Sequence, residues 1–257
     1  MSVALQINTI YQQDIFDFLR QLPNQSADLA IIDPPYNLGI ADWDTFASEQ
    51  EFLDFSFSWI DLMIPKLKPH ASFYLFNTPT NCALFYHHLR GKAVLQNWIT
   101  WYKKDGMSAS KKRFNNAQET ILFYTMHKKD YYFDCESVRI PYQSTQRIAH
   151  AKSKGILKNG KRWFPNPNGK LCLDVWEIVS ERHRNKVHGK TIKMSHPTPK
   201  PREMIERMLL ASSKEGDLVL DLFSGTGIVS KVAQELGRNF LGCDKYVVGM
   251  SFNECSR

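Results

Sequence analysis

Residues 27–36 read ADLAIIDPPY and place a mostly apolar run directly before an acid, two prolines and an aromatic ring. The run Ala27 to Ile32 predicts a buried strand, because polar residues flank it on both sides. Two successive prolines cannot continue a sheet ladder or begin an ordinary helix, so the chain must leave the sheet rigidly. The tetrapeptide then lies at the carboxyl end of a strand, where open α/β sheets bind ligands. It suits a flat group that carries an NH2, although a stiff structural turn explains four residues equally well.

Composition limits the classes of protein to which the chain can belong. Its 257 residues are 43% hydrophobic and 12% aromatic, enough for one substantial core, or for one core and a small added module. No stretch has the pattern of a signal peptide or approaches the roughly 20 apolar residues of a membrane span. We therefore expect a soluble cytoplasmic protein without a membrane partner. The five cysteines are scattered and lack zinc-type spacing, which predicts reduced thiols and no metal site.

The positive charge is concentrated in one segment. The chain has a net charge of +7, yet Arg139 to Lys193 alone contains 13 Lys and Arg against three acidic residues. The segment also contains Trp163, Phe164 and Trp176 among turn-forming residues. Basic residues interleaved with aromatics are typical of nucleic-acid contact, and the alternative is a solvated insertion.

Helical and strand patterns alternate along the rest of the chain, which predicts a doubly wound, mostly parallel sheet with helices on both faces. The first predicted strand covers Gln6 to Tyr11, and Asp14 follows at its end. Near the other end, a strand from Leu218 to Phe223, a helix from Ile228 to Leu236 and a strand from Asn239 to Cys243 follow one another.

A second motif, residues 221–227 with the sequence DLFSGTG, connects the predicted strand Leu218 to Phe223 with the predicted helix Ile228 to Leu236. Gly225 and Gly227 allow a ligand to approach the backbone, and the helix start offers unpaired N–H groups. Asp244 follows the next strand, where a carboxylate can accept hydrogen bonds from both ribose hydroxyls. The pattern predicts a nucleoside-cofactor turn, the alternative being a tight structural turn. A dinucleotide dehydrogenase is disfavoured, because the third glycine of its fingerprint is replaced by Ser230.

The tetrapeptide at 33–36 and the turn at 223–227 resemble the amino-methyltransferases of restriction–modification systems. Their order in the chain, with the basic segment between them, resembles the circularly permuted β-group of that family. Residues 196–201, HPTPKP, resemble the element before the cofactor strand, with Pro199 departing from the usual glutamine. Arg113 and Phe114 together with Glu119 to Tyr124 resemble a further element of the group.

The resemblance implies a seven-stranded sheet of the S-adenosylmethionine-dependent methyltransferase type, circularly permuted and carrying a basic insertion. Residues 1–134 would form the catalytic half of the sheet, residues 135–193 the target-recognition segment, and residues 194–257 the cofactor-binding half. It also implies double-stranded DNA as a partner, a cognate restriction endonuclease acting at the same site, and a homodimer.

The implied reaction is direct methyl transfer from S-adenosylmethionine to the N6 amine of an adenine flipped out of duplex DNA. The implied catalytic residues are Asp33, Pro34, Pro35 and Tyr36, with Asp33 and the Pro34 carbonyl accepting from the amine and Tyr36 stacking on the base. The implied cofactor-binding residues are Asp14, His196, Thr198, Lys200, Asp221, Phe223, Ser224, Gly225, Thr226, Gly227 and Asp244. Lys200, with His196 and Thr198, is assigned to the methionine carboxylate, and Asp14 to the adenine amine of the cofactor.

Three alternatives remain at this point. In the family an aspartate at position 33 usually accompanies adenine, but cytosine N4 has the same amine chemistry. RNA or protein amine methylation would use a similar pocket, and a DNA-binding protein could retain an inactive cofactor fold. Cytosine-C5 chemistry is disfavoured, because none of the five cysteines follows a proline.

Overall fold

The computed structural model describes residues 5–103, 110–180, 184–187, 190–193 and 199–246. Within these ranges the helices are α1 (Ile15–Gln21), α2 (Glu49–Met63), α3 (Pro79–Leu89), α4 (Thr145–Lys154), α5 (Arg202–Ser212) and α6 (Ile228–Glu235). The strands are β1 (Thr9–Gln12), β2 (Ala27–Ile32), β3 (Leu67–Asn77), β4 (Val94–Tyr102), β5 (Gln118–Thr125), β6 (Ile156–Lys158), β7 (Lys161–Trp163), β8 (Val175–Glu177), β9 (Arg184–Val187), β10 (Lys190–Lys193), β11 (Leu218–Leu222) and β12 (Asn239–Asp244).

One large sheet has the strand order β1-β12-β11-β2-β3-β5-β4-β8. Every neighbouring pair is parallel except the two pairs that β5 makes with β3 and β4. The mostly parallel α/β fold is therefore confirmed. The run Ala27–Ile32 forms β2, and all six of its residues are buried, as a central strand covered on both faces requires.

The sheet has eight strands in the described part of the chain, and not the expected seven. The additional strand β8 lies at the edge beside β4, with Val175 opposite Thr100 and Trp176 opposite Trp101. Sequence patterning missed β8, because three residues are too few to show the two-residue period of a strand. The basic segment thus contributes one strand to the main sheet.

Apolar side chains cover both faces of the sheet. One cluster packs α1, α2 and α3 on the first face, with Phe18, Trp59 and Phe85 at its centre. The other packs α5 and α6 on the opposite face, with Met208 and Val232 fully buried. No described helix has the length and apolarity that crossing a membrane would require.

The strand register fixes where the candidate site lies. Ile32 at the end of β2 is opposite Leu222 of β11, Leu222 is opposite Cys243 of β12, and Gln12 of β1 is opposite Asp244. The residues that follow β2, β11, β12 and β1 therefore lie at the same edge of the sheet. β1 and β2 come from the N-terminal part of the chain, and β11 and β12 come from its C-terminal part. The two parts together therefore form the carboxyl edge of the sheet at which the candidate site lies.

Trp176 provides a test of whether the basic segment is integral to the fold. Its side chain is 6% exposed, its Nε1 donates to the Leu173 carbonyl over 2.7 Å, and the Arg207 guanidinium lies 4.9 Å from its ring. We predict that Trp176→Ala lowers the free energy of unfolding by about 3–5 kcal/mol, as for other buried aromatics. Trp163 on β7 is 42% exposed, and Trp163→Ala is the control. This change should lower the free energy of unfolding by less than about 1 kcal/mol. Equal, small losses in urea denaturation would show that β8 is only loosely attached.

Candidate active site

A cleft of about 450 Å³ runs along the carboxyl edge of the sheet, a volume typical of small-molecule sites. Most of the residues that the sequence predicted for catalysis or cofactor binding line it: Asp14, Asp33, Pro34, Pro35, Tyr36, Lys200, Asp221, Phe223, Ser224, Gly225, Thr226 and Asp244. Gly227 is not part of the lining, but it caps the N-terminus of α6 just behind it. His196 and Thr198 lie outside the described residues.

Two asparagines hold the backbone of the tetrapeptide. Asn77, the last residue of β3, donates from Nδ2 to the Pro35 carbonyl over 3.3 Å, and Asn81 of α3 donates to the Tyr36 carbonyl over 2.9 Å. No residue of the described ranges donates to the Pro34 carbonyl. Pro34 lines the cleft, so as far as the described residues show, its carbonyl can accept a hydrogen bond there.

Asp44 organises the loop after the tetrapeptide, and sequence reasoning missed it. This side chain is fully buried, and its oxygens accept from the backbone N–H groups of Tyr36 (2.5 Å), Asn37 (2.9 Å), Leu38 (2.8 Å) and Ile40 (3.4 Å). A carboxylate with several N–H donors stabilises a fixed loop path. The sequence held no signal to separate Asp44 from exposed Asp42, since both flank Trp43 in a polar loop.

Asp33, Tyr36, Glu119 and Lys200 form a compact charged cluster in the cleft. The Tyr36 hydroxyl lies 3.0 Å from Asp33 Oδ1 and 3.1 Å from Glu119 Oε2. Lys200 Nζ lies 2.7 Å from each Asp33 carboxylate oxygen and 3.7 Å from Glu119 Oε2. Lys103 pairs with the other oxygen of Glu119. Glu119 is the second residue to which no role was assigned from the sequence. In the sequence it is only the first residue of the family element Glu119 to Tyr124, and nothing local shows that β5 begins at the cleft.

The cluster fixes the protonation states of its members. Burial, followed by the charges of Asp33 and Glu119, raises the pKa of Tyr36 well above its ordinary value. For Lys200 burial acts to lower the pKa, but the charges of Asp33 and Glu119 outweigh it and the pKa is raised. For Glu119 burial acts to raise the pKa, but Lys200 and Lys103 outweigh it and the pKa is lowered. At neutral pH the phenol is neutral, and the lysine and the glutamate are charged.

The glycine turn begins and ends in left-handed backbone conformations. Phe223 has a φ of 61°, Gly225 of 52° and Gly227 of 69°. Such a φ is unusual for phenylalanine and costs about 1–2 kcal/mol. The ring offsets this cost, because it packs edge-on against Phe55 and Trp59. The turn therefore has a defined shape.

The turn also packs tightly on β12. The Gly225 N–H donates to Asp244 Oδ2 over 2.8 Å, and the Ser224 N–H donates to the Cys243 carbonyl over 3.0 Å. A Cβ at Gly242 would lie 2.7 Å from Ser224 Oγ, so only glycine allows this approach. Gly242 was not singled out from the sequence.

Asp221 has a structural position at the back of the cleft. Its Oδ2 accepts from the N–H and the hydroxyl of Ser230 over 3.0 Å and 2.6 Å, which ties the end of β11 to the start of α6. Burial raises the pKa of Asp221 to about 7. This carboxyl group is therefore partly protonated at neutral pH.

The two remaining acids retain free acceptor capacity. Asp14 caps α1 by accepting from the Phe16 N–H over 2.9 Å, so it follows the strand that ends at Gln12 and begins the helix. Asp244 accepts from the N–H groups of Gly225 and Tyr246. Each carboxylate has about four acceptor sites, so both can bind donors in the cleft. A left-handed glycine turn with a carboxylate on each side fits a nucleoside-containing cofactor. No group of residues suited to a metal ion occurs in the described ranges.

Asp44 yields a prediction about the tetrapeptide loop. We expect Asp44→Ala to free the N–H groups of Tyr36, Asn37, Leu38 and Ile40, so that the loop no longer has a fixed path and the activity of the site falls by about 10²-fold, because the groups in the cleft are misplaced. Hydrogen–deuterium exchange at these amides should become faster. Asp42→Ala, an exposed change two residues away, is the control. If hydrogen–deuterium exchange at these amides is the same in Asp44→Ala as in the wild type, Asp44 does not hold the loop in place.

Comparison with known proteins assigns the family. A family model described as DNA methylase, N6_N4_Mtase, matches residues 27–247. The type II methyltransferase M1.MboII of Moraxella bovis is 56% identical over 241 residues, which cover 93% of this chain and 92% of that protein.

Two solved structures have the same fold. The cytosine-N4-specific PvuII DNA methyltransferase has a TM-score of 0.66 at 16% identity, over 93% of this chain and 82% of its own. The M1.HpyAVI–SAM complex has a TM-score of 0.56 at 20% identity, over 93% and 92%. The second of these structures is a complex with S-adenosylmethionine, and the glycine turn with its flanking acids in this chain fits such a nucleoside cofactor. The family model spans most of the chain, and the chain therefore belongs to the S-adenosylmethionine-dependent DNA methylases of the N6/N4 amino-methyltransferase family.

Proposed function

We propose that the protein is the modification methyltransferase of a type II restriction–modification system and methylates the N6 amine of adenine in duplex DNA. The observation that carries the proposal is that an acid, a proline carbonyl and an aromatic ring line one cleft together with the glycine turn. Asp33, Pro34 and Tyr36 all line this cleft, and Asp33 Oδ1 lies 3.0 Å from the Tyr36 hydroxyl. The very similar M1.MboII is itself named a type II methyltransferase.

The tetrapeptide addresses the main chemical difficulty of the reaction. An exocyclic amine is a poor nucleophile, because its lone pair is delocalised into the ring. Two fixed acceptors favour a pyramidal nitrogen whose lone pair is free to attack. When bound, S-adenosylmethionine supplies an electrophilic methyl group on a sulfonium centre. Asp33 and Pro34 orient the amine towards that group, and Tyr36 stacks on the base.

The cofactor would lie over the turn at 223–227. Asp244 is assigned to the ribose hydroxyls and Asp14 to the adenine amine, since both keep acceptor sites at the cleft. Gly225 and Gly227 have no Cβ, which would allow the cofactor to approach the backbone of the turn closely. The assignments of His196, Thr198 and Lys200 to the methionine carboxylate remain predictions from the family resemblance.

The target base must leave the duplex to reach this cleft. Base pairing buries the amine, so the adenine would swing out at a cost of a few kcal/mol, which stacking on an aromatic ring offsets. Tyr36 is only partly buried, so its ring can receive a base.

Adenine is preferred over cytosine for two reasons. An aspartate heads the tetrapeptide, which in the family usually accompanies adenine, and a purine gains more stacking area on Tyr36. Cytosine N4 is the second candidate, because the PvuII enzyme shares the fold and is cytosine-N4-specific. RNA or protein amine methylation is the third.

One experiment tests the reaction, the polymer and the base together. With labelled S-adenosylmethionine, we expect label in duplex DNA and none in RNA or protein. Digestion to nucleosides should then yield N6-methyladenine. Asp33→Ala is the matched control and should lose about 10²–10³ in rate while it still binds the cofactor. Label in N4-methylcytosine would overturn the adenine assignment, and label in RNA or protein alone would overturn the DNA assignment.

The basic segment provides a surface of suitable charge for DNA. Exposed Arg147, His150 and Lys154 lie three and four residues apart on α4, which places them on one face of the helix. The hairpin β6–β7 follows, and Lys158 pairs with Lys161 across a tight turn. A two-stranded ribbon has dimensions that fit the major groove. We therefore assign DNA contact to this helix and hairpin.

The salt dependence of binding tests this surface. We predict that the double change Lys158→Gln and Lys161→Gln reduces the slope of log affinity against log salt by about 0.9 for each DNA phosphate that the protein no longer neutralises. Cofactor affinity should stay the same. The matched control is Lys128→Gln with Lys129→Gln, two exposed lysines after β5 at the opposite edge of the sheet. Equal slopes in both variants would place the DNA elsewhere.

A further inference from the structure

The ammonium of Lys200 is buried against the acid of the tetrapeptide. The side chain is 7% exposed, and Nζ lies 2.7 Å from both Asp33 oxygens. The rings of Tyr36 and Phe76 have their centroids 5.2 Å and 5.3 Å from Nζ, within the range of a cation–π contact. Carboxylate and aromatic groups thus surround this cation.

The backbone around Lys200 is rigid. Proline occupies both neighbouring positions, 199 and 201, and Pro201 caps the start of α5. A residue before proline is held in an extended conformation. Met204 and Ile205 of the following turn are fully buried in the core. The lysine therefore reaches Asp33 from a fixed point, and not from a mobile loop.

The hydrogen bonds of Asp33 fix the carboxylate and still leave acceptor capacity. Lys200 donates to Oδ2 over 2.7 Å, with Nζ also 2.7 Å from Oδ1, and the Tyr36 hydroxyl lies 3.0 Å from Oδ1. A carboxylate has about four acceptor sites. Lys200 and Tyr36 together thus hold both oxygens in place, and a further donor can still bind.

Glu119 is the opposing charge in this arrangement. It lies 3.1 Å from the Tyr36 hydroxyl and 3.7 Å from Lys200 Nζ, and Lys103 pairs with its outer oxygen. Within the described residues, the ionisable groups around Asp33 are therefore Lys200 before α5, Tyr36 in the loop after β2, and Glu119 at the start of β5. Asp221 of β11 adds a more distant negative charge when ionised. Lys200 thus attracts the Asp33 carboxylate, and Glu119 adds a negative charge that competes for the same ammonium.

We infer that Lys200 is a positioning residue for the catalytic carboxylate: it holds Asp33 in place as an acceptor for the target amine, and Glu119 modulates this contact through its own pairing with Lys200. The inference rests on the proposed role of Asp33 in amine binding. It gives Lys200 a different partner from the methionine carboxylate that the family resemblance implied. An acceptor that stays ionised draws the amine hydrogens towards it, whereas a protonated Asp33 would compete as a donor.

Two single variants change the charge beside Asp33 in opposite directions. Lys200→Met keeps an unbranched side chain as far as Cε and removes the charge, so the pH below which turnover falls should rise by about 1–3 units. Glu119→Gln keeps the shape of the side chain and removes the opposing charge. The acid limb of the pH–rate profile, which is the pH range below which turnover falls, should therefore move to lower pH. The double variant should lie between the two singles. Turnover is measured under single-turnover conditions from pH 5 to 9, with wild-type enzyme alongside.

Cofactor affinity, measured by calorimetry at pH 8, separates the two roles of Lys200. We expect Lys200→Met to bind S-adenosylmethionine within about threefold of wild type, and Asp244→Ala to bind it far more weakly without moving the acid limb. A large loss of cofactor affinity in Lys200→Met with an unmoved acid limb would overturn the inference and assign the lysine to the cofactor. Lower turnover in both variants with no opposite shifts of the limb would also overturn it, since a purely structural role predicts that result.

The experiment distinguishes a failure of this inference from a failure of the proposed function, because the proposed function is tested by methyl transfer with the wild-type enzyme. If wild type transfers label to DNA and the acid limbs do not shift, only the role of Lys200 is wrong. If Lys200→Met does not fold, Glu119→Gln alone remains decisive, since its limb must move to lower pH.

Discussion

The parallel pairing of β2 with β11 is the constraint on which the site depends. Val219 to Leu222 pair with Leu29 to Ile32, which lie about 190 residues earlier in the chain. Because the side-chain period of a strand is two, a slip of one residue would move every side chain to the opposite face of the sheet, against a different set of helices, so the register is strongly fixed. This pairing sets Asp33 beside Phe223. It thereby joins the part that orients the amine to the part that holds the cofactor.

Buried charge is the second determinant of the site, and it is organised by pairing. Asp33, Glu119, Lys200 and Lys103 form two acids and two bases in contact. Loss of any one member would leave a poorly compensated charge away from water, which is costly in proteins. Asp44 and Asp221 follow the same rule by a different means. Backbone N–H groups surround the first, and Ser230 binds the second.

The basic segment shows how local patterning can mislead about domain organisation. Its charge and its turn-forming residues suggested an insertion separate from the sheet. Trp176 nevertheless packs into the core, and β8 extends the sheet by one strand. The helix α4 and the hairpin β6–β7 are the parts with exposed basic side chains. The segment therefore combines a core anchor with an exposed basic surface.

The sequence by itself determined the local elements that carry the chemistry. An apolar run followed by two prolines had to be a buried strand with a rigid exit, and Ala27–Ile32 is that strand. The DLFSGTG stretch had to be a tight turn before a helix, since its glycines adopt left-handed conformations that other residues adopt at a cost. The family motifs and their order pointed to a methyltransferase. These features are visible in sequence because each depends on neighbouring residues.

Only the tertiary structure decided which side chains meet. Lys200 and Asp33 are 167 residues apart in sequence, and Tyr36 and Glu119 are 83 apart. No local pattern could show that an ordinary acid at the start of β5 would face the tetrapeptide, or that Asp44 and not Asp42 would be buried beneath it. Burial and pairing of charges are set by contacts between distant parts of the chain. For that reason the sequence predicted the location of the cleft, and the fold alone defined the charged cluster within it.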